Sequence, residues 1–140
     1  PAGQTRDYIF GYTILNDVSA RDVQTAHKQW YFGKSLDGFT PIGPCIVTAD
    51  AFADYPPRLG IRSFVNGEKR QDSNTALQIF DIDHVIAELS QGMTLKAGTI
   101  IATGTPAGVG MGMDPPQFLK PGDVVRCEID GIGTLTNPVK

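Results

Sequence analysis

Short apolar runs separated by glycine and proline set the rhythm of the chain, and most of them alternate with period two. Tyr8 to Leu15 is rich in aromatic and β-branched residues and predicts a strand. Pro44 to Thr48 predicts a second. Leu59 to Val65 sets Ile61, Ser63 and Val65 against Arg62, Phe64 and Asn66, and Asn66-Gly67 predicts a hairpin turn, because both residues tolerate positive φ. The return strand then covers Glu68 to Asp72. Thr99 to Thr103 predicts an apolar strand that runs into a glycine-rich loop from Gly104 to Gly112. Val124 to Asp130 places Val125, Cys127 and Ile129 on one face, and Asp130-Gly131 turns it into a last strand ending near Asn137. Helical spacing appears twice. Ser19 to His27 predicts a short helix with Ser19 as its N-cap. Ile82, Val85, Ile86 and Leu89 stand at i, i+3, i+4 and i+7, predicting a helix over Asp83 to Gln91, capped by Asp81 or Asp83 and ended by Gly92. The expectation is one domain, residues 1–140, mainly β with short helices.

Composition narrows the class of protein. The 140 residues carry 16 glycines and 10 prolines, which agrees with many short strands and turns. The hydrophobic fraction of 41% suits a globular domain, and no apolar run approaches the length of a membrane span. The formal charge of −3, with both signs interspersed, offers no basic footprint for nucleic acid or anionic lipid. The start of the sequence has no signal-peptide pattern, and Cys45 and Cys127 have no CxxC spacing, so both are expected to be buried thiols of a cytoplasmic protein.

Three constellations offer chemistry. In Asn16 to Gln24, a helix beginning at the strand end puts Asp17, Arg21 and Gln24 near one face. A carboxylate, a guanidinium and an amide there suit a metal-bound anion; an Asp17–Arg21 salt bridge explains the same spacing. In Trp30 to Pro44, Lys34 is set among aromatics and glycines, which either desolvate the ammonium or merely pack its stem. In Ala102 to Gly112, a glycine-rich loop follows a strand and offers backbone N–H groups to an anion, with Thr105 as hydroxyl donor. That loop lacks the Gly-Lys-Ser/Thr of a P-loop and does not read G-x-G-x-x-G, so a carboxylate fits it better than a nucleotide. No G-x-S-x-G elbow occurs. His27 and His84 lack zinc spacing and suit solvated helix faces. Helix capping accounts for Asp81-x-Asp83, and solvent exposure for Glu128-x-Asp130.

In their order along the chain, these segments resemble the fumarylacetoacetate hydrolase family, carboxyl-terminal catalytic domain. The resemblance is carried by Gly11 to Gln24, Gly33-Lys34-Ser35, Val65-Asn66-Gly67-Glu68, Arg70-Gln71-Asp72-Ser73-Asn74-Thr75 and Thr103 to Gly110, with Lys120-Pro121-Gly122-Asp123 and Gly131-Ile132-Gly133 behind them.

The resemblance implies a β-sandwich roll of mixed sheets and a homodimer. It implies a small-molecule partner, a 2-oxo or diketo acid, and Mg²⁺, with Mn²⁺ or Ca²⁺ as substitutes. Asp17 matches the family's metal ligand, Arg21 and Gln24 residues near the substrate, Lys34 the active-site lysine, and Thr105 the threonine that holds the substrate carboxylate. Catalysis falls to Lys34 and Arg21. The expected reaction is hydrolysis of a C–C bond in an acylpyruvate-like diketo acid of the fumarylacetoacetate or fumarylpyruvate type, or the related isomerisation; the alternative is oxaloacetate decarboxylation. A different class is an inactive β-roll fragment or dimerisation module. The family's Glu-x-Glu metal ligands and its lid with a His/Glu base are absent from this sequence, so the expectation is a fragment incomplete at its amino terminus, the alternative being that another chain supplies those groups. Gly38 stands where some members have threonine.

Overall fold

The structure, a computed structural model, describes residues 4–26 and 28–140. Its strands form two antiparallel sheets. In the smaller, β1 (Gly11–Leu15) pairs with β2 (Ile42–Thr48), with a register shift between Tyr12 and Ile14. The larger has the order β4-β3-β5-β6, built from β3 (Gly60–Val65), β4 (Glu68–Asn74), β5 (Val124–Ile129) and β6 (Gly133–Pro138). The expected hairpin joins β3 to β4 with Asn66 at φ 51° and Gly67 at φ 84°. That turn is latched from outside: the Asn66 side chain donates to Asp123 and accepts from the Val124 N–H. The mainly β fold with short helices expected from the sequence is borne out.

The small sheet lies against β5 and β6. Its one deeply buried side chain is Ile14, 2% exposed, and Val125 and Ile132 are buried in the same layer. Tyr12 meets Phe52 edge to face at 5.6 Å, and Cys45 Sγ donates to the Ile132 carbonyl at 3.6 Å, tying β2 to the start of β6. The expectation of two buried thiols fails at Cys45, which lies in an exposed stretch of β2 with Pro44 and Ile46; Cys127 is half-buried, and burial pushes its thiol up.

Three α-helices accompany the sheets: α1 (Arg21–Ala26), α2 (Trp30–Lys34) and α3 (Ile82–Gly92). The last is the one read from the apolar stripe, and Asp81 caps it by accepting from the His84 N–H at 2.8 Å. Asp83 instead accepts from Thr5 and Tyr55, holding the early chain to the start of α3. Ser19 does not cap α1; its hydroxyl donates to the Asp17 carbonyl, and the Ala20 carbonyl accepts from the Gln24 N–H. His84 is exposed and stacked on Phe80, while His27 lies outside the described residues. None of the described helices is long and apolar enough to cross a membrane.

Thr99 to Thr103 joins no ladder among the described residues, and Ile100 is 60% exposed. An apolar alternation becomes a strand only beside another strand, and none lies beside it here. The same openness recurs elsewhere: the chain exposes 9594 Å², against about 7,100 Å² for a typical monomer of this mass.

Candidate functional site

α1 and α2 build the first half of the site. They pack so closely that a Cβ on Gly33 would come within 2.8 Å of the Gln24 nitrogen, and the Gly33 carbonyl accepts from the Ala20 N–H at 2.8 Å. Glycine at 33 therefore sets the separation of the two helices. The next residue, Lys34, then reaches back to Asp17, at the end of β1, and the two form an ion pair. Arg21 Nη1 donates to Gln24 Oε1 at 2.8 Å, one turn along α1, and Gln24 is 2% exposed.

Two readings of the sequence are settled by this arrangement. Asp17 pairs with Lys34 and not with Arg21, because Asp17 precedes the helix and the i,i+4 geometry never forms. Lys34 is not desolvated by its aromatic neighbours, since Trp30, Tyr31 and Phe32 are 64%, 80% and 56% exposed; a carboxylate balances its charge instead.

Thr105 belongs to the second half, where the glycine-rich loop meets β4. Gln71 is the link: its Nε2 donates to Thr105 Oγ1 and to the Pro106 carbonyl, both at 2.8 Å, and its Oε1 accepts from Ser63 on β3, also at 2.8 Å. The ladder changes register between Ser63 and Phe64, so Arg70 is an extra residue on β4 immediately before Gln71. Gly108, at φ 107°, presses its α-carbon against the Arg70 carbonyl. The Arg70 guanidinium reaches Glu68 at 3.2 Å and Gln117 beyond the loop. The sequence placed Gln71 inside a family motif without giving it a role; its contacts depend on a bulge that no local pattern announces.

The expected site residues thus fall into two built clusters, Asp17–Lys34 with Arg21–Gln24, and Thr105 with Gln71. Two clefts, of about 680 and 630 Å³, are lined by segments around Tyr55 and Tyr8 and include none of the five expected residues. Magnesium asks for six oxygens in near-octahedral array. Asp17 gives one carboxylate, and among the described residues no group of three or more His, Cys, Asp or Glu side chains could hold an ion. The described residues alone therefore do not fit a complete magnesium site.

Set against known proteins, residues 1–140 match the family model of the fumarylacetoacetate (FAA) hydrolase C-terminal domain. The chain belongs to the fumarylacetoacetate hydrolase family. Among its relatives in that family is the oxaloacetate tautomerase YisK of Bacillus subtilis (strain 168), 52% identical over 133 residues that make up 95% of this chain and 44% of that protein. A fumarylacetoacetate hydrolase from the psychrophile Exiguobacterium antarcticum superposes with a TM-score of 0.95 at 52% identity, covering 100% of this chain and 50% of its own. A 5-carboxymethyl-2-hydroxymuconate delta-isomerase from Mycobacterium smegmatis gives a TM-score of 0.86 at 46% identity, over 99% of this chain and 51% of its own. The chain spans about half the length of the relatives it matches. Hydrolases, isomerases and a tautomerase of the family thus share this half of the fold.

Proposed function

We propose that this chain carries the 2-oxo acid end of the active site of an enzyme that interconverts the keto and enol forms of an oxaloacetate-like dicarboxylic acid. The observation that carries the reading is the Lys34–Asp17 ion pair held beside Arg21–Gln24. Tautomerisation, C–C hydrolysis of a diketo acid and decarboxylation of oxaloacetate share one demand. Each accumulates negative charge on the oxygen of a 2-oxo group, and they differ only in whether a proton, an acyl group or carbon dioxide leaves the neighbouring carbon. Lys34 places an ammonium for that charge, and Arg21 and Thr105 receive the carboxylate ends. As the enol forms, the neighbouring carbon gives up its proton to solvent, and Lys34 donates one to the oxygen and is reprotonated from solvent; in the reverse direction Lys34 takes the oxygen's proton while solvent protonates the carbon.

Hydrolysis adds a base that activates water. The three glutamates of the sequence are engaged elsewhere: Glu68 with Arg70, Glu88 with Gln91, and Glu128 with Arg62 and Arg126. The 52% identity to a named tautomerase supports the enolisation reading. Cleavage of an acylpyruvate-like diketo acid is the second reading, favoured by the likeness to a fumarylacetoacetate hydrolase.

Magnesium, with manganese or calcium as substitutes, joins the proposal at Asp17, with its other ligands supplied by substrate and by residues beyond those described; bound there, it would polarise the 2-oxo oxygen. A homodimer in the cytoplasm remains the proposed setting. The deciding experiment gives the full-length protein freshly dissolved oxaloacetic enol and follows its ultraviolet absorbance, with acetylpyruvate as the competing substrate. Faster loss of the enol without release of pyruvate is expected. Cleavage of acetylpyruvate with no effect on the enol would replace the first reading with the second.

A further inference from the structure

The Gln71 amide is wired in one sense only. The Pro106 carbonyl can accept but not donate, so the atom that faces it at 2.8 Å must be the NH₂ group. The remaining N–H of that group is then committed to Thr105 Oγ1 at 2.8 Å, and the amide oxygen takes the Ser63 hydroxyl. Every hydrogen of the amide nitrogen is used. A hydroxyl that accepts from Gln71 keeps its own hydrogen free to donate. Thr105 is exposed, so that hydrogen points to solvent or to whatever binds there.

We infer that Gln71 is the positioning residue that makes Thr105 a donor to an anionic oxygen of the substrate. It touches no substrate itself. It fixes the polarity of the Thr105 hydroxyl and anchors the loop that carries it to the β3–β4 hairpin. The bulge at Arg70 and the contact of Gly108 with the Arg70 carbonyl seat the loop on β4, and Gln71 sets the hydroxyl's direction. The inference rests on the reading that Thr105 holds a substrate carboxylate, and it extends that reading to a residue outside the expected set.

The isosteric change Gln71→Glu tests it. The new carboxylate can only accept, so the Thr105 hydroxyl turns its hydrogen toward position 71 and meets the substrate carboxylate with a lone pair. In the full-length enzyme, KM for the 2-oxo dicarboxylate should rise about tenfold or more, the weight of a hydrogen bond to a charged group. The turnover number should change much less. Gln71→Met, which removes the donor without adding charge, should raise KM by a smaller factor and stands in if the acidic variant does not fold. A double-mutant cycle with Thr105→Ala supplies the decisive readout, because the two changes should be non-additive: with the hydroxyl gone, the residue at 71 has nothing to orient. Full additivity, or an unchanged KM in both Gln71 variants while Thr105→Ala raises KM, overturns the inference and leaves the role of Thr105 standing. An unchanged KM in Thr105→Ala overturns the reading beneath it.

Discussion

Gly108 lies so close to the Arg70 carbonyl oxygen that no Cβ fits between them. Its φ of 107° is also one that side chains rarely adopt. Gly108→Ala should therefore lift the loop from β4 and cost on the order of 3 kcal/mol of stability. Gly104 is the control: its φ is 98°, but nothing lies within 4 Å of an added Cβ. Gly104→Ala should cost only the backbone term, about 1–2 kcal/mol. Chemical denaturation of the two variants measures the difference, and equal losses would mean that the Arg70 contact is not what holds the loop.

The Asp17–Lys34 pair should matter for chemistry and little for stability. The two side chains are 41% and 28% exposed, and pairs of that kind contribute about 0–1 kcal/mol. Lys34→Met should leave the midpoint of thermal unfolding nearly unchanged while lowering turnover by roughly a hundredfold or more, because it removes the charge that meets the developing oxyanion. A large stability loss with activity retained would assign the pair to the fold.

Tyr55 gives the protein an alkaline signature. Burial, then its hydrogen bond to the Asp83 carboxylate, pushes its phenol up to about 12 from the ordinary value of 10.0. A phenol that holds its proton more tightly when folded contributes stability that is fully present below the unfolded pKa. That stability is lost as pH rises through the folded pKa, so the window runs from about pH 10 to about pH 12. Tyr55→Phe should flatten the fall of stability across that window. Phenolate absorbance should show one late-titrating group that the variant lacks; a titration curve unaltered by the variant would rule this out.

Much of this arrangement could be read from the sequence, and what escaped has a common cause. Local signals were reliable where the determinant is local: Asp81 caps α3, the Ile82–Leu89 stripe is helical, and Asn66-Gly67 closes its hairpin. The pairing of Asp17 with Lys34 has no local signature, because it depends on how closely α1 and α2 approach at Gly33, which is a matter of packing. The short helix around Lys34 was missed for a related reason: a run of Trp30, Tyr31 and Phe32 has no helical period. Gln71 escaped because its partners are 8, 34 and 35 positions away. Thr99 to Thr103 has the composition of a strand but pairs with no neighbour among the described residues.

The two thiols should respond differently to alkylation. Cys45 is exposed, whereas Cys127 is half-buried and its thiol is pushed up by that burial, so less of it is thiolate at neutral pH. Iodoacetamide followed by peptide mass spectrometry should label Cys45 well before Cys127. Equal rates would mean that β5 opens readily from its neighbours.

The openness of the fold has a thermodynamic corollary. Sensitivity to denaturant scales with the surface that unfolding newly wets. A folded chain that already exposes 9594 Å² has roughly a sixth less to reveal than a typical monomer of its mass. In urea the slope of the unfolding free energy for the 140 residues on their own should therefore fall roughly a sixth below that of a typical monomer of this mass, which a denaturation curve measures.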